Sequence, residues 1–233
     1  MSTLSWGDYA QRWSKLHGGF DPRSANRLVR GWLFLSYAVS RQLARTGTGP
    51  NTVTVAGLLL SIGVPLTARP NGAWPLLGAL LILVSALADT VDGALAVITG
   101  RASRLGRVYD STADRLAEAA WAVALGLLGA PIWLAVAAGG VAWLHEYIRA
   151  RATVSGMADV GTVTIGERPT RIIVVLFTLV VAGTVSATAA TVGAAIWLAL
   201  GLVAVVQLGV AVRRALRGAD PVGDELGRQH DER

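Results

Sequence analysis

Four aspartates, Asp89, Asp92, Asp110 and Asp114, fall within 26 residues of one another, at the edge of the apolar run LLGALLILVSAL. Asp89 and Asp92 are three apart and Asp110 and Asp114 four apart, spacings that put each pair on one face of a helix. If the two helices are joined by the short turn TGRASRLG, they are expected to be antiparallel neighbours with all four carboxylates converging on one point. Like charges gathered in a medium of low dielectric repel one another, and a divalent cation removes that cost. Hard oxygen donors with no cysteine in the chain favour Mg²⁺, with Mn²⁺ or Ca²⁺ as alternatives. The plainer reading is that the aspartates cap helices and pair with Arg101, Arg104, Arg107 and Arg115. Acidic residues at membrane depth point first to function.

The elements that would hold these residues are membrane helices. Of 233 residues, 53% are hydrophobic and 15% charged, more apolar content than one soluble core requires. A spanning helix needs about 20 mostly apolar residues. Six stretches approach that length: 52–68, 74–98, 108–128, 132–152, 171–187 and 192–212. Breakers separate them, including ARPNG, TGRASRLG and GAP. The expected fold is an all-α integral membrane protein with six transmembrane helices. Amphipathic or juxtamembrane helices precede them in residues 1–47, the membrane domain covers 48–217, and residues 218–233 form a polar, disordered tail.

The arginines orient this arrangement. Those in the loops on the aspartate side and in the N-terminal segment share one side of the membrane, and only Arg69 lies in a loop on the other. The positive-inside rule then puts both termini and the aspartate cluster in the cytoplasm, in a multi-pass protein of the cell membrane. The net charge of +6 reads as contact with anionic headgroups rather than with nucleic acid. The start of the chain does not read as a signal peptide.

Trp6, Tyr9, Trp13 and Leu16 recur at helical spacing, which suits a helix lying in the membrane interface or one packed on the bundle. Asp21 and Pro22 suit the N-cap and first turn of a second helix running through Trp32 towards Arg45. His145 and Glu146 read as polar residues near the interface, because adjacent residues point to different helix faces.

The aspartates also sit in a longer pattern. Asp89, Asp92, Gly93, Ala96, Gly106, Asp110 and Asp114 match seven of the eight fixed positions of D-x2-D-G-x2-A-R-x8-G-x3-D-x3-D, with every spacing kept. This pattern resembles that of the CDP-alcohol phosphotransferases (CDP-alcohol phosphatidyltransferases). Val97 stands where the family keeps arginine. GPNTVTVAG before the first span, YIRARA and GERPTR extend the resemblance to about residues 48–173. The last two segments are most like the actinobacterial branch that makes phosphatidylinositol phosphate.

The resemblance implies a six-helix enzyme of phospholipid synthesis with two divalent cations, Mg²⁺ or Mn²⁺. Its donor would be CDP-diacylglycerol, and its acceptor a small phosphorylated polyol: inositol phosphate, or glycerol phosphate as the alternative. Asp89, Asp92, Asp110 and Asp114 would be metal ligands, and Asp114 also the general base. Asn51, Thr54, Gly93, Ala96, Ser103 and Gly106 would bind the donor. Arg149, Arg151, Arg168 and Arg171 would bind the acceptor phosphate. The family is often dimeric, which leaves a homodimer open. Arg101, one turn beyond Val97, can supply the missing charge; altered donor use or lost catalysis are the other readings. Two classes remain as rivals: a divalent-cation transporter and an inactive lipid-binding relative.

Overall fold

The computed structural model describes residues 4–16, 18–69, 72–157 and 163–217. Those residues form eight helices: α1 (Trp6–Leu16), α2 (Arg27–Arg45), α3 (Pro50–Thr67), α4 (Trp74–Thr99), α5 (Arg104–Leu127), α6 (Ile132–Val154), α7 (Arg168–Thr184) and α8 (Ala189–Arg217). The all-α expectation holds among the described residues, and α3 to α8 coincide with the six expected stretches to within a few residues. The tail expected at 218–233 lies outside the described residues.

Three helices, Pro50–Thr67, Trp74–Thr99 and Ala189–Leu216, are long and apolar enough to cross a membrane. The others fall short for readable reasons. α7 has 17 residues. α5 carries Asp110, Asp114, Arg115 and Glu118 along its length, and α6 carries His145, Glu146, Arg149 and Arg151. Large apolar side chains such as Leu59, Leu66, Val136, Phe177 and Val206 are exposed on the outside of the helices, as suits a surface whose solvent is lipid.

The N-terminal region settles one alternative and departs from expectation at another point. Of the two placements open to α1, the structure has its aromatic face packed on the bundle. Tyr9 and Trp13 pack with Leu33 and Tyr37 of α2 and with Ala94 and Val97 of α4. The Tyr9 and Tyr37 ring centres are 5.1 Å apart, and the Tyr37 hydroxyl donates to the Leu4 carbonyl at 2.7 Å. Ring-on-ring packing gives these aromatics partners that an interface could not. The departure concerns the start of α2. Its N-cap is Asn26, whose side-chain oxygen accepts from the Val29 N–H at 2.9 Å. Asp21 instead closes an earlier turn, accepting the Arg23 N–H at 2.8 Å while its carboxylate pairs with the Arg23 guanidinium. A short carboxylate finds its own backbone two residues on before it can cap a helix six residues away.

α4 and α5, joined by a short turn, were expected to pack side by side. Instead α3 packs against both, and the two helices hardly approach each other. The α3–α4 contact is close because small residues meet there: a methyl added at Gly57 would come within 3.1 Å of the Ala88 methyl. A buried relay ties the three helices together. The Trp121 indole N–H donates to Ser61 at 3.3 Å, Ser61 and Ser85 share a bond of 2.8 Å, and Ser85 donates to the Gly57 carbonyl at 2.9 Å. Each hydroxyl thereby finds a partner in a setting where an unpaired one would be costly. Beyond it, Val64, Ile82, Trp121, Leu125, Leu179 and Trp197 form one continuous core with α7 and α8. The wedge of α3 holds α4 and α5 apart, so their aspartates face a gap rather than each other's backbones.

Candidate active site

The gap begins at the turn between α4 and α5. Gly100 ends α4 in the left-handed conformation, with φ of 67°, which a residue with a side chain adopts only at a cost. Its N–H and that of Arg101 both return to the Ala96 carbonyl. Ser103 then caps α5, its hydroxyl accepting the Gly106 N–H at 2.9 Å. The chain reverses within a few residues and leaves a cavity of about 270 Å³. All six residues expected at a donor site line it: Asn51 and Thr54 from α3, Gly93 and Ala96 from α4, Ser103 from the turn and Gly106 from α5. A methyl added at Gly93 would meet nothing within 4 Å, so the missing side chain is part of the cavity's volume. Leu16 of α1 reaches the same cavity, as do Arg101 and Arg107, both exposed. Val97 also lines it but is 6% exposed, because its other side is pressed against the α1 aromatics.

Asp92 and Asp110 join this cavity to the carboxylate cluster. Asp89, Asp110 and Asp114 each offer an oxygen within 4.8 Å of the others. Asp92 is not one of this close set. It is 6% exposed, and its carboxylate accepts a short bond of 2.5 Å from the Thr54 hydroxyl. The expected convergence of four is therefore a triad with a fourth carboxylate alongside, since Thr54 holds Asp92 towards α3. Arg168 is the cation of the cluster: it pairs with Asp89 through Nη1 and with Asp114 through Nη2, the latter at 2.7 Å. Of the arginines considered as partners for the aspartates, Arg115 pairs with Asp114, at 3.8 Å. Arg168, with Arg115 at the edge, against four carboxylates leaves a surplus of hard, anionic oxygen donors, which fits a divalent cation.

On the far side of the cluster lies a second set of charges. Glu118 is fully buried; it pairs with the Arg171 guanidinium, Nε at 3.0 Å, and accepts from Arg115 Nη2 at 3.2 Å. Glu146 pairs with Arg171 at 2.8 Å and Arg115 at 3.4 Å. Arg149 pairs with Glu167 and, at 3.9 Å, with Glu146. Glu167 also accepts the backbone N–H and hydroxyl of Thr164, each at 2.9 Å, and the Thr164 hydroxyl bonds His145 Nε2 at 2.9 Å. Gly166 lies against α8 so closely that a methyl there would come within 2.6 Å of the Ala204 methyl. This contact pins the segment before α7, and with it the direction from which Arg168 and Arg171 enter.

Of the four arginines expected at an acceptor site, Arg149 and Arg171 converge on these glutamates, Arg168 pairs with Asp89 and Asp114, and Arg151 is exposed. His145 and Glu146, expected to be interfacial polar residues, are part of the network; His145 is 1% exposed. They serve together although they are adjacent, because α5, α7 and the segment before α7 meet them from different sides. Glu118 and Glu167 escaped the sequence reading. Glu118 was findable: Asp110, Asp114 and Glu118 recur every four residues and form one stripe on α5. Glu167 carried no such signal.

The chain is similar to known proteins in sequence and in fold. The chain is 36% identical over 151 residues to the phosphatidylinositol phosphate synthase of Mycolicibacterium smegmatis, covering 61% of this chain and 66% of that one. It thus spans just under two thirds of that relative. The phosphatidylinositol phosphate synthase of Cutibacterium acnes is 32% identical over 205 residues, covering 79% and 95% of the two chains. Two crystal structures of the Mycobacterium tuberculosis phosphatidylinositol phosphate synthase share the fold at 28% identity. With CDP-DAG bound the TM-score is 0.64, covering 76% of this chain and 92% of that one. In complex with manganese and citrate it is 0.66, covering 76% and 88%. The family profile described as CDP-alcohol phosphatidyltransferase matches residues 47–212, most of the chain, and the protein belongs to that family.

Proposed function

We propose that the protein transfers a phosphatidyl group from CDP-diacylglycerol to the hydroxyl of a phosphorylated polyol, inositol phosphate, with release of CMP. One observation carries this reading: the six candidate donor residues line a single cavity that opens onto Asp92 and Asp110, beside the close carboxylate set. The names of the relatives support inositol phosphate over glycerol phosphate as acceptor.

In this reading Asn51, Thr54, Gly93, Ala96, Ser103 and Gly106 bind the nucleotide end of the donor, and Arg101 and Arg107 face its anionic groups. Asp89, Asp92, Asp110 and Asp114 hold two divalent cations, Mg²⁺ or Mn²⁺. Bound there, the cations would neutralise the pyrophosphate and stabilise the departing oxygen. Asp114 accepts the proton of the acceptor hydroxyl as its oxygen bonds to the lipid-side phosphorus and the bond to the CMP oxygen breaks. Arg149, Arg168 and Arg171 orient the acceptor through its phosphate, which guanidinium groups grip by paired N–H donors. Phosphoryl-type transfer depends mainly on such positioning and charge neutralisation.

The catalytic unit is residues 48–217, with α3 to α8 as six membrane spans, α1 and α2 on the cytoplasmic face and both termini cytoplasmic. The charges of Asp114, Arg115, Glu118 and Glu146 are tolerated at that depth because they turn inward onto one another. The test is purified protein with CDP-diacylglycerol, Mg²⁺ or Mn²⁺, and inositol phosphate, glycerol phosphate or unphosphorylated inositol. CMP release is expected with inositol phosphate and is lost in Asp114→Asn. Release with glycerol phosphate alone would overturn the acceptor, and no CMP with any acceptor would overturn the enzyme reading. Metal flux into liposomes without CMP release would favour a transporter.

A further inference from the structure

Arg168 is the first residue of α7, and its side chain is 16% exposed. Its two terminal nitrogens reach different helices, Nη1 to Asp89 on α4 and Nη2 to Asp114 on α5. Both aspartates belong to the close set that fits a divalent cation. A guanidinium seated across them competes for the same two carboxylates. The remaining donor, Nε, is buried with no hydrogen-bond partner, so this seat leaves Arg168 incompletely satisfied. One turn further along α7, Arg171 points into the second set of charges, where Arg149 also lies. Arg168 therefore stands between the carboxylates and the other arginines.

We propose that Arg168 is a positioning residue that exchanges between the two halves of the site. Cation binding at Asp89 and Asp114 displaces its guanidinium, which turns to join Arg149 and Arg171 on the phosphate of the acceptor. The second half of this statement rests on the proposed function; the competition with a cation does not. A dication replaces a monocation on the carboxylates, and the released guanidinium then needs an anion. Binding free energies are reciprocal, so phosphate must tighten the cation as much as the cation tightens phosphate. The site would thus favour the acceptor only once it is loaded with metal.

The test uses the full chain in detergent or neutral-lipid nanodiscs. Mn²⁺ binding is followed by the paramagnetic resonance of free Mn²⁺, with and without inorganic phosphate, against a protein-free titration. In the wild type, phosphate is expected to tighten Mn²⁺ by about five-fold or more, the lower range of typical coupling between sites. In Arg168→Gln, Mn²⁺ is expected to bind more tightly without phosphate, and phosphate no longer to change it. Arg168→Lys keeps the charge but cannot bridge both aspartates, and is expected to bind Mn²⁺ more tightly than the wild type. Lys matching the wild type would overturn the exchange in favour of a simple field effect. Unchanged or weaker Mn²⁺ binding in Arg168→Gln, or phosphate coupling that survives in it, would overturn it as well. Coupling as expected but no CMP release would overturn the proposed function and leave the exchange standing.

Discussion

On the α4–α5 side of the aspartates, small residues and a left-handed turn leave a cavity of about 270 Å³ with two exposed arginines in its lining. On the α6–α7 side, Arg115, Arg149 and Arg171 are packed against Glu118, Glu146 and Glu167. The first half is shaped by what is missing, the Cβ of Gly93 above all. The second is shaped by what is present in excess, charges of both signs. A donor can enter the first half without displacing protein groups. A phosphate entering the second must compete with three carboxylates for arginines they already hold. On the proposed function, the difference would separate the cost of binding each substrate: shape on one side, exchange of ion pairs on the other.

The contrast can be broken at its shared boundary first. Asp114→Asn is expected to lower CMP release by roughly 10²–10⁴-fold, the usual share of a general base. Turnover under saturating substrates measures this, with thermal unfolding as the control for folding. Glu118→Ala attacks the charged half, because it leaves Arg171 and Arg115 without their buried partner. Breaking such a pair costs about 3–5 kcal/mol, and the unfolding midpoint should fall accordingly. An unchanged midpoint would mean that the network does not support the fold.

Val97→Arg tests the boundary between the cavity and α1. Its side chain would have to enter the packed cluster of Tyr9, Trp13, Leu33 and Tyr37 or turn into the cavity. A loss of about 1–3 kcal/mol, the cost of an unsatisfied buried polar group, is expected without gain in CMP release. A large gain would show that Arg101 and Arg107 do not supply the charge absent at 97. Gly93→Ala probes the open half: its methyl meets no protein atom, so the unfolding midpoint should hold or rise slightly while the KM for CDP-diacylglycerol rises. The smallest effect is expected for Arg151→Ala. Arg151 is exposed, so stability should stay within about 0.5 kcal/mol and the KM for the acceptor should not change. A rise in that KM would bring Arg151 back into the acceptor site.

Much of the cavity half was legible in the sequence because its determinants are local. Gly93, Ala96, Ser103 and Gly106 lie within one helix end, one turn and one helix start, and helical periodicity relates them without reference to the rest of the chain. The charged half was legible only in part. Arg149 and Arg171 could be named from their segments, but their glutamate partners sit on three different elements. His145 and Glu146 misled for the same reason: adjacency on one helix says little when neighbouring elements approach both faces. At the N-terminus, the spacing of Trp6, Tyr9 and Trp13 located α1 but left open which surface the aromatics would meet. The preference of Asp21 for its own turn over a helix cap is likewise a local competition that residue types alone do not decide.

By itself the sequence determined the helices, their order and the carboxylate pairs on α4 and α5, because hydrophobic runs, breakers and three- or four-residue spacings act over short range. Tertiary structure decided the rest. The wedge of α3 set the gap between α4 and α5, Thr54 drew Asp92 aside, and α7 delivered Arg168 to the aspartates and Arg171 to the glutamates. These outcomes depend on distances between elements far apart in the chain, and ion pairs form wherever packing brings opposite charges together.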